Sequence, residues 1–274
     1  MATHLFSSND LPLVAKNNWH IPEFKGVQIS PKKNDYCVCV FVINEGKKVQ
    51  AQLQEMKKLA SQIDIIVADG GSTDGSLELA FLESCSVRTL LTKTGKGKLS
   101  AQMRMAFAYA LQENYQGVVV IDGNHKDDIS AIPDFTSHLE QGYDHIQGSR
   151  FIPGGKAINT PFSRLIGLKI LHAPLISISA RHRYTDTTNG FRGYSSSLLS
   201  DPRLQIFREV FSQYELHYYL AIQAARLGFR ITETPVTRTY PKNAKVPTKI
   251  SPFKGNLLII KTLLKAAFHQ YDPR

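Results

Sequence analysis

The sequence predicts an α/β fold: a mostly parallel sheet, Rossmann-like, with helices on both faces. Three observations carry that expectation. Short runs of β-branched and other apolar residues alternate with segments of helical period from residue 36 to residue 147. Several of these runs end in polar groups, at Asn44-Glu45, at Asp69 and at Asp122-Gly123-Asn124. The third is Asp69-Gly70-Gly71-Ser72-Thr73-Asp74-Gly75-Ser76, directly behind the apolar run 63–68, where a buried strand turns toward a helix. In open α/β sheets ligands bind outside the carboxyl ends of strands, and glycines there let the backbone approach closely.

Residues 1–35 lack clear periodicity and are rich in Asn, Lys and Pro, so they read as an extension wrapping the domain. A strand follows at 36–43. Residues 47–61 carry Val49, Leu53, Met56 and Leu59 at helical spacing. Ile65, Ile66 and Val67 make 63–68 a strand, and Ser72, Thr73 and Asp74 are good caps for a helix from Leu77 to Glu83. A strand at 87–91, a helix at 99–112 and a strand at 117–121 continue the alternation. Pro133 suits the first turn of a helix reaching Glu140, with Gly142 just past its end. Residues 143–147 form a further strand.

After Arg150 the rhythm breaks into a loop, a long helix near Phe162–Ala180 and a polar stretch at 184–194. Helical patterns at 214–227 and 256–268 are joined through a strand at 230–236. With no internal repeat and no low-complexity segment, a single domain is expected. Its parts are the extension 1–35, a body at 36–250, and an amphipathic C-terminal helix at 251–274. The body divides into a nucleotide-binding half, 36–150, and an acceptor half, 151–250.

Lys+Arg 33 against Asp+Glu 23 gives a net charge of +10, which favours anionic partners: nucleotides, phospholipid surfaces or nucleic acid. The cations are dispersed, apart from Lys93, Lys96 and Lys98, and a second group of Arg238, Lys242, Lys245 and Lys249. No basic tail, recognition-helix signature or aromatic-rich RNA-binding strand accompanies them, so nucleic acid is not expected. Cys37 and Cys39 point to one face of a strand and Cys85 stands alone. Without a second pair they favour neither zinc nor a disulfide framework, and they suit a reducing compartment. Asn9, Asp10, Lys16 and Asn17 interrupt any signal-like apolar run. The apolar stretch 165–180 carries Lys169, His172 and Pro174 and is short for a span. A cytoplasmic protein is expected, soluble or peripheral on the membrane.

Strand ends carrying Glu45, Asp69 and Asp122 would line one edge of the sheet. Carboxylates gathered there repel one another unless a cation, ligand hydroxyls or lysines compensate. Lys96 and Lys98, in Gly95-Lys96-Gly97-Lys98, are placed to meet a phosphate. That loop is not a Walker A motif: Leu99 follows Lys98, and Thr92 stands where the first glycine is required. Gly-x-Gly-x-x-Gly is absent as well.

Six motifs then occur in an order that resembles the family 2 glycosyltransferases. They are Val40-Phe41-Val42-Ile43-Asn44-Glu45, the 69–76 run, Gly95-Lys96-Gly97, Asp122-Gly123-Asn124, Gly148-Ser149-Arg150 and Asn189-Gly190-Phe191-Arg192. Within that family the chain looks most like the dolichol- or polyprenyl-phosphate sugar synthases, over residues 36–249. The resemblance implies the GT-A fold, a nucleotide-diphosphate sugar as donor, inversion at the anomeric centre, and Mg²⁺ or Mn²⁺. It implies that Asn44, Glu45 and Asp69 hold the base and ribose. Asp122 would open the D-x-D element that holds metal and diphosphate, where a hard ion stabilises the departing nucleotide.

The sequence departs from the family at the second acid, which is Asn124, an amide that can ligate but brings no charge. Asp127 or Asp128 either completes the set or faces solvent ahead of the next helix. Glu215 falls where many family members carry a catalytic acid. It would serve as general base for a sugar hydroxyl, or only position groups if the acceptor is an already nucleophilic phosphate. Asp186 is the other catalytic candidate, or else a loop aspartate capping amides. Lys96, Lys98, Arg150, Arg192 and Lys249 would meet phosphates, and the segment from Arg238 to Lys249 reads as a mobile loop closing over them.

The downstream Q-x-x-R-W element of processive synthases is missing. The C-terminal helix, with Lys254, Lys261 and Lys265 near its apolar residues, either packs on the core or lies on an anionic membrane and presents a lipid phosphate. The expected function is inverting sugar transfer to a polyprenyl phosphate, a glycolipid or a saccharide. One alternative is a sugar-nucleotide pyrophosphorylase, whose Gly-rich first loop Asn44-Glu45-Gly46-Lys47-Lys48 does not supply. The other is a non-catalytic basic module binding nucleic acid or anionic lipid.

Overall fold

The structure, a computed structural model, describes residues 3–242 and 254–273. Its strands are β1 (His4–Ser7), β2 (Phe24–Gln28), β3 (Tyr36–Val42), β4 (Asp64–Asp69), β5 (Val87–Lys93), β6 (Gly117–Asp122), β7 (His145–Ser149), β8 (Lys156–Ile158), β9 (Arg192–Ser195), β10 (Ile231–Pro235) and β11 (Thr237–Thr239). The helices are α1 (Pro12–Lys16), α2 (Lys47–Met56), α3 (Leu79–Ser84), α4 (Leu99–Gln112), α5 (Ile132–Glu140), α6 (Phe162–Gly167), α7 (Ala173–Ala180), α8 (Ser196–Ser200), α9 (Glu215–Arg226) and α10 (Lys254–Ala267).

Among the described residues nine strands form one sheet in the order β1-β2-β5-β4-β3-β6-β9-β7-β10, and β8 pairs with β11 separately. Strands β5, β4, β3 and β6 run parallel, in register from Cys37↔Asp64 and Tyr36↔Gly117. This is the mixed, mostly parallel α/β sheet that the alternation of patterns predicts. Side chains of β3 show why both faces are covered. Cys37, Cys39 and Phe41 join the core under α4 and α9, and Val38, Val40 and Val42 join the core under α2 and α5. A strand buried on both sides reads as a continuous apolar run because its alternate side chains have different helices to meet. Each such fully buried aliphatic side chain contributes roughly 1.5–3 kcal/mol.

Three expectations need correction. Residues 1–35 do not merely wrap the domain: β1 and β2 extend the sheet antiparallel beyond β5. Strand β9 enters antiparallel between β6 and β7, from a stretch that reads as polar loop. Its four residues, with Arg192 and Gly193 among them, offer no β-branched alternation, and only the two flanking strands make it a strand. The helix expected at Phe162–Ala180 forms over those bounds, as α6 and α7 joined by one π-helical stretch, Leu168–His172, and what needs correction is the expectation that it is short for a span. Its 19 residues are long and apolar enough to cross a membrane by length and composition. Its α7 part packs on α9 and α10.

Candidate functional site

From β3 the chain crosses outward through β4 to β5, then returns to β6 on the other side of β3. The strand order therefore reverses beside β3, and a crevice at the carboxyl ends is the geometric consequence. A cleft of about 700 Å³ opens there. Residues following β3, β4 and β6 line it, with Gln102 below and Lys126, Arg164, Tyr214 and Arg238 around it.

Its floor is backbone held by glycines and two buried glutamines. Gly70 N–H donates to the Val42 carbonyl and Gly123 N–H to the Phe41 carbonyl, each at 2.8 Å. A Cβ on Gly123 would stand 2.8 Å from Val42 Cγ2, so no other residue fits unless the strand moves. Gln102, on α4, donates to the carbonyls of Val42 (2.9 Å) and Ala68 (2.6 Å), tying the ends of β3 and β4 together. Gln52, on α2, donates to the Asp122 carbonyl at 3.1 Å and accepts from His125 N–H at 2.8 Å.

The 69–76 loop is built by its own side chains. Asp69 is buried and accepts from Ser72 N–H (2.9 Å) and Ser72 Oγ (2.6 Å). Asn44 Oδ1 accepts from Thr73 N–H at 2.8 Å, and Asp74 accepts from Gly46 N–H and from Ser76. The Ser76 hydroxyl is the main reason the Asp74 carboxyl lies below its ordinary range. These groups do not cap the helix, as the sequence suggests. Helix α3 begins only at Leu79 and has no side-chain cap. Asp69 does not line the cleft; Gly70, Asn44 and Glu45 do.

Cations surround the one carboxylate at the end of β6. Asp122, whose side chain is 31% exposed, accepts from Arg238 Nη2 at 3.1 Å and from Asn124 Nδ2 at 3.3 Å. Arg238 Nη1 also bonds Asp127, which is fully buried. Burial raises the Asp127 carboxyl above its ordinary range, with Arg238 opposing. Lys126 and Arg164 stand with Arg238 around the Tyr240 ring, their charged groups 5.4, 5.6 and 5.8 Å from its centre. Burial, and then Arg238, hold the Lys126 ammonium below the ordinary lysine range. Burial raises the Tyr240 phenol, yet Arg238 and Arg164 outweigh it and leave the group below its ordinary value. On the opposite wall Lys98 lies 5.6 Å from the Tyr214 ring centre, and Lys93 donates to the Gly95 carbonyl at 2.7 Å. Lys96 is exposed and outside the lining.

The second-half candidates sit behind the cleft. Glu215, the first residue of α9, is buried and accepts from Gln213 N–H at 2.7 Å; its neighbour Tyr214 is the one that lines the cleft. Asp186 is fully buried and clamped by Arg150, Nε at 2.6 Å and Nη2 at 2.9 Å. Arg192 spends its guanidinium on the carbonyls of Asn189, Thr187 and His217. Arg150, Asp186 and Arg192 therefore brace the 185–192 loop and present no charge to the cleft. Arg238 is on a short strand, not on a mobile loop, and Lys249 lies outside the described residues.

A divalent ion on Asp122 and Asn124 fits these side chains poorly. Among the described residues no three His, Cys, Asp or Glu side chains cluster to hold one. Asn124 turns its amide nitrogen to Asp122, and its Oδ1 is buried without a partner. Arg238 already shares its charge between the Asp122 carboxylate and Asp127, and Lys126 stands beside them.

The residues that sequence reasoning passes over are Gln52, Gln102, Lys126, Arg164 and Tyr214. For the two glutamines a signal exists: each interrupts an otherwise apolar helical face, Gln52 between Val49 and Leu53, Gln102 between Leu99 and Met105. A buried amide among apolar neighbours must find backbone partners.

A sequence profile described as glycosyl transferase family 2 matches residues 37–213. The undecaprenyl-phosphate mannosyltransferase of Micrococcus luteus is 28% identical over 71% of this chain and 79% of that protein. The polyprenol monophosphomannose synthase of Mycolicibacterium smegmatis is 25% identical over 74% and 76%. A Haloferax volcanii glycosyltransferase, AglJ, is 24% identical over 86% and 73%. Among solved structures, the Mycobacterium tuberculosis glucosyl-3-phosphoglycerate synthase, in complex with Mn²⁺, UDP and glucosyl-3-phosphoglycerate, shares the fold. It aligns with a TM-score of 0.62 at 15% identity, covering 87% of this chain and 81% of that one.

Proposed function

The chain belongs to glycosyl transferase family 2, and on that premise we propose that it moves a sugar from a nucleotide-diphosphate donor to a polyprenyl phosphate, with inversion. The observation that carries the donor site is the cleft at the strand-order reversal, with a glycine floor and a cationic rim. Asn44, Glu45 and the Gly70 backbone take the nucleoside end, with Asp69 shaping the loop behind them. Lys93, Lys98, Lys126 and Arg238 face the diphosphate and stabilise the charge that develops on it as the bond to the sugar breaks. Residues 36–150 supply most of the donor site, joined by Arg164, Tyr214 and Arg238 from the second half, whose other residues take the acceptor.

The mannosyltransferase and mannose synthase relatives support a lipid-phosphate acceptor. A phosphate oxygen attacks the anomeric carbon on the face opposite the departing diphosphate and needs no base. Glu215, bonded to Gln213 N–H, suits a positioning role at the cleft wall. The membrane contact falls to the outer face of the 162–180 segment, where Phe162, Ile170 and Ile178 are 75%, 74% and 76% exposed, joined by Leu257 and Phe268 of the last helix and its end. Lys169 on the same segment suits an anionic, cytoplasmic leaflet.

Thermal melting with UDP, GDP, CDP and dTDP tests the donor site. One nucleotide should raise Tm, because a ligand that binds only the folded chain stabilises it. Its sugar conjugate should then label polyprenyl phosphate in vesicles. No response to any of the four would sink the reading.

A further inference from the structure

Resting on the donor reading above, we propose that this chain holds its donor diphosphate with its own cations, Lys126 and Arg238 foremost, and does not require a divalent metal to do so. Among the described residues six side-chain cations, Lys48, Lys93, Lys98, Lys126, Arg164 and Arg238, line the cleft against two carboxylates, Glu45 and Asp122, with a third, Asp127, buried behind Arg238. The cleft is therefore strongly positive before any ion enters it. A dication placed at Asp122 would share that carboxylate with Arg238, 3.1 Å away, and stand among Lys126, Arg164 and Arg238, which already gather around one tyrosine ring. Like charges at such separations cost more than one half-engaged carboxylate returns. A diphosphate in the same place meets fixed donors instead, and a guanidinium held on its far side by buried Asp127 is already oriented for it.

Two residues near Asp122, two positions apart, bear on this. Asn124 stands where the D-x-D element has its second acid and so brings no negative charge, and Lys126 brings a positive one. A site with an acid at 124 and a neutral residue at 126 would be two charges more negative, which is the charge a bound dication supplies.

Calorimetric titration of the responding nucleoside diphosphate, first in EDTA and then in MnCl₂, tests this directly. The affinities should agree within about threefold, whereas a gain of about tenfold or more with Mn²⁺ would overturn the proposal and leave the donor site standing. Lys126→Gln should lose about tenfold or more in EDTA, and Lys126→Arg should keep the wild-type value. Wild-type affinity in Lys126→Gln would overturn it too. Asn124→Asp combined with Lys126→Gln should make binding respond to Mn²⁺, and a double variant indifferent to metal would count against the charge exchange. Absence of binding by UDP, GDP, CDP and dTDP with and without Mn²⁺ would instead remove the donor reading itself.

Discussion

Arg238 donates to Asp122 across 3.1 Å, although the two residues lie 116 positions apart in the chain. The contact joins the short strand β11 to the end of the central strand β6. The same guanidinium also pairs with Asp127, fully buried beneath it. One arginine thus ties the cleft carboxylate to a buried one, engaging Oδ2 of Asp127 while its Oδ1 has no partner among the described residues.

Removing that guanidinium should unfold before it inactivates. Arg238→Ala strands the Asp127 carboxylate, a loss of about 3–5 kcal/mol for a broken buried pair. Arg238→Met with Asp127→Asn should recover most of that stability in urea melts and still bind nucleotide weakly. Stability of Arg238→Ala within about 1 kcal/mol of wild type would contradict the pairing.

Gly97 has a φ of +105°, and a Cβ there would sit 2.5 Å from Ala101 Cβ and 3.0 Å from the Ser212 carbonyl. That carbonyl is the acceptor for Lys98 N–H at 2.7 Å, so the turn that aims Lys98 is fixed at both ends. Gly97→Ala should cost more than about 1 kcal/mol and weaken nucleotide binding together. An unchanged dissociation constant would show that the turn does not place Lys98.

Asp186→Asn breaks a bidentate, fully buried pair with Arg150. The expected loss is about 3 kcal/mol of stability. Nucleotide affinity per folded molecule, measured well below the melting temperature, should stay the same. A variant as stable as wild type but lacking transfer activity would return Asp186 to the chemistry.

Burial holds His145 and His217 well below the ordinary value of 6.5, with Arg192 adding to the effect. Unfolded, both would take up protons as the pH falls through 6.5; folded, they resist. The unfolded chain then binds more protons, so stability is full above 6.5 and falls on acidification, by about 1.4 kcal/mol per pH unit for each group. Melts between pH 7.5 and 5.5 should show that slope, and His145→Gln should flatten it. A pH-independent Tm over the range would argue against two neutral buried imidazoles.

Ile170→Glu and Ile178→Glu alter side chains that stand about three-quarters in solvent. Stability should move by no more than about 0.5 kcal/mol. Flotation with anionic vesicles should fall sharply while nucleotide binding persists. Undiminished flotation would move the membrane contact to another surface.

The strands and helices of residues 36–149 were legible because their determinants are local. Apolar alternation, turn glycines and Pro133 act over a few residues, and helix 99–112 forms with the bounds its pattern suggests. Strand β9 was not legible, since its residues become a strand only between β6 and β7. The site divides the same way. Asn44, Glu45, Lys98, Asp122 and Asn124 reach the cleft because they end strands or open a helix on its rim. Glu215, Asp186, Arg150 and Arg192 carry the right chemistry, yet their neighbours consume it.

By itself the sequence determined the α/β alternation, the glycine-rich turn after Asp69 and the family to which the chain belongs. These are properties of short segments and of motif order. Only the tertiary structure decided that Asp69 supports a loop, that Arg150 braces Asp186, and that Lys126, Arg164 and Arg238 converge beside Asp122. Which charges meet depends on how distant strands are ordered in the sheet, and spacing along the chain does not encode that.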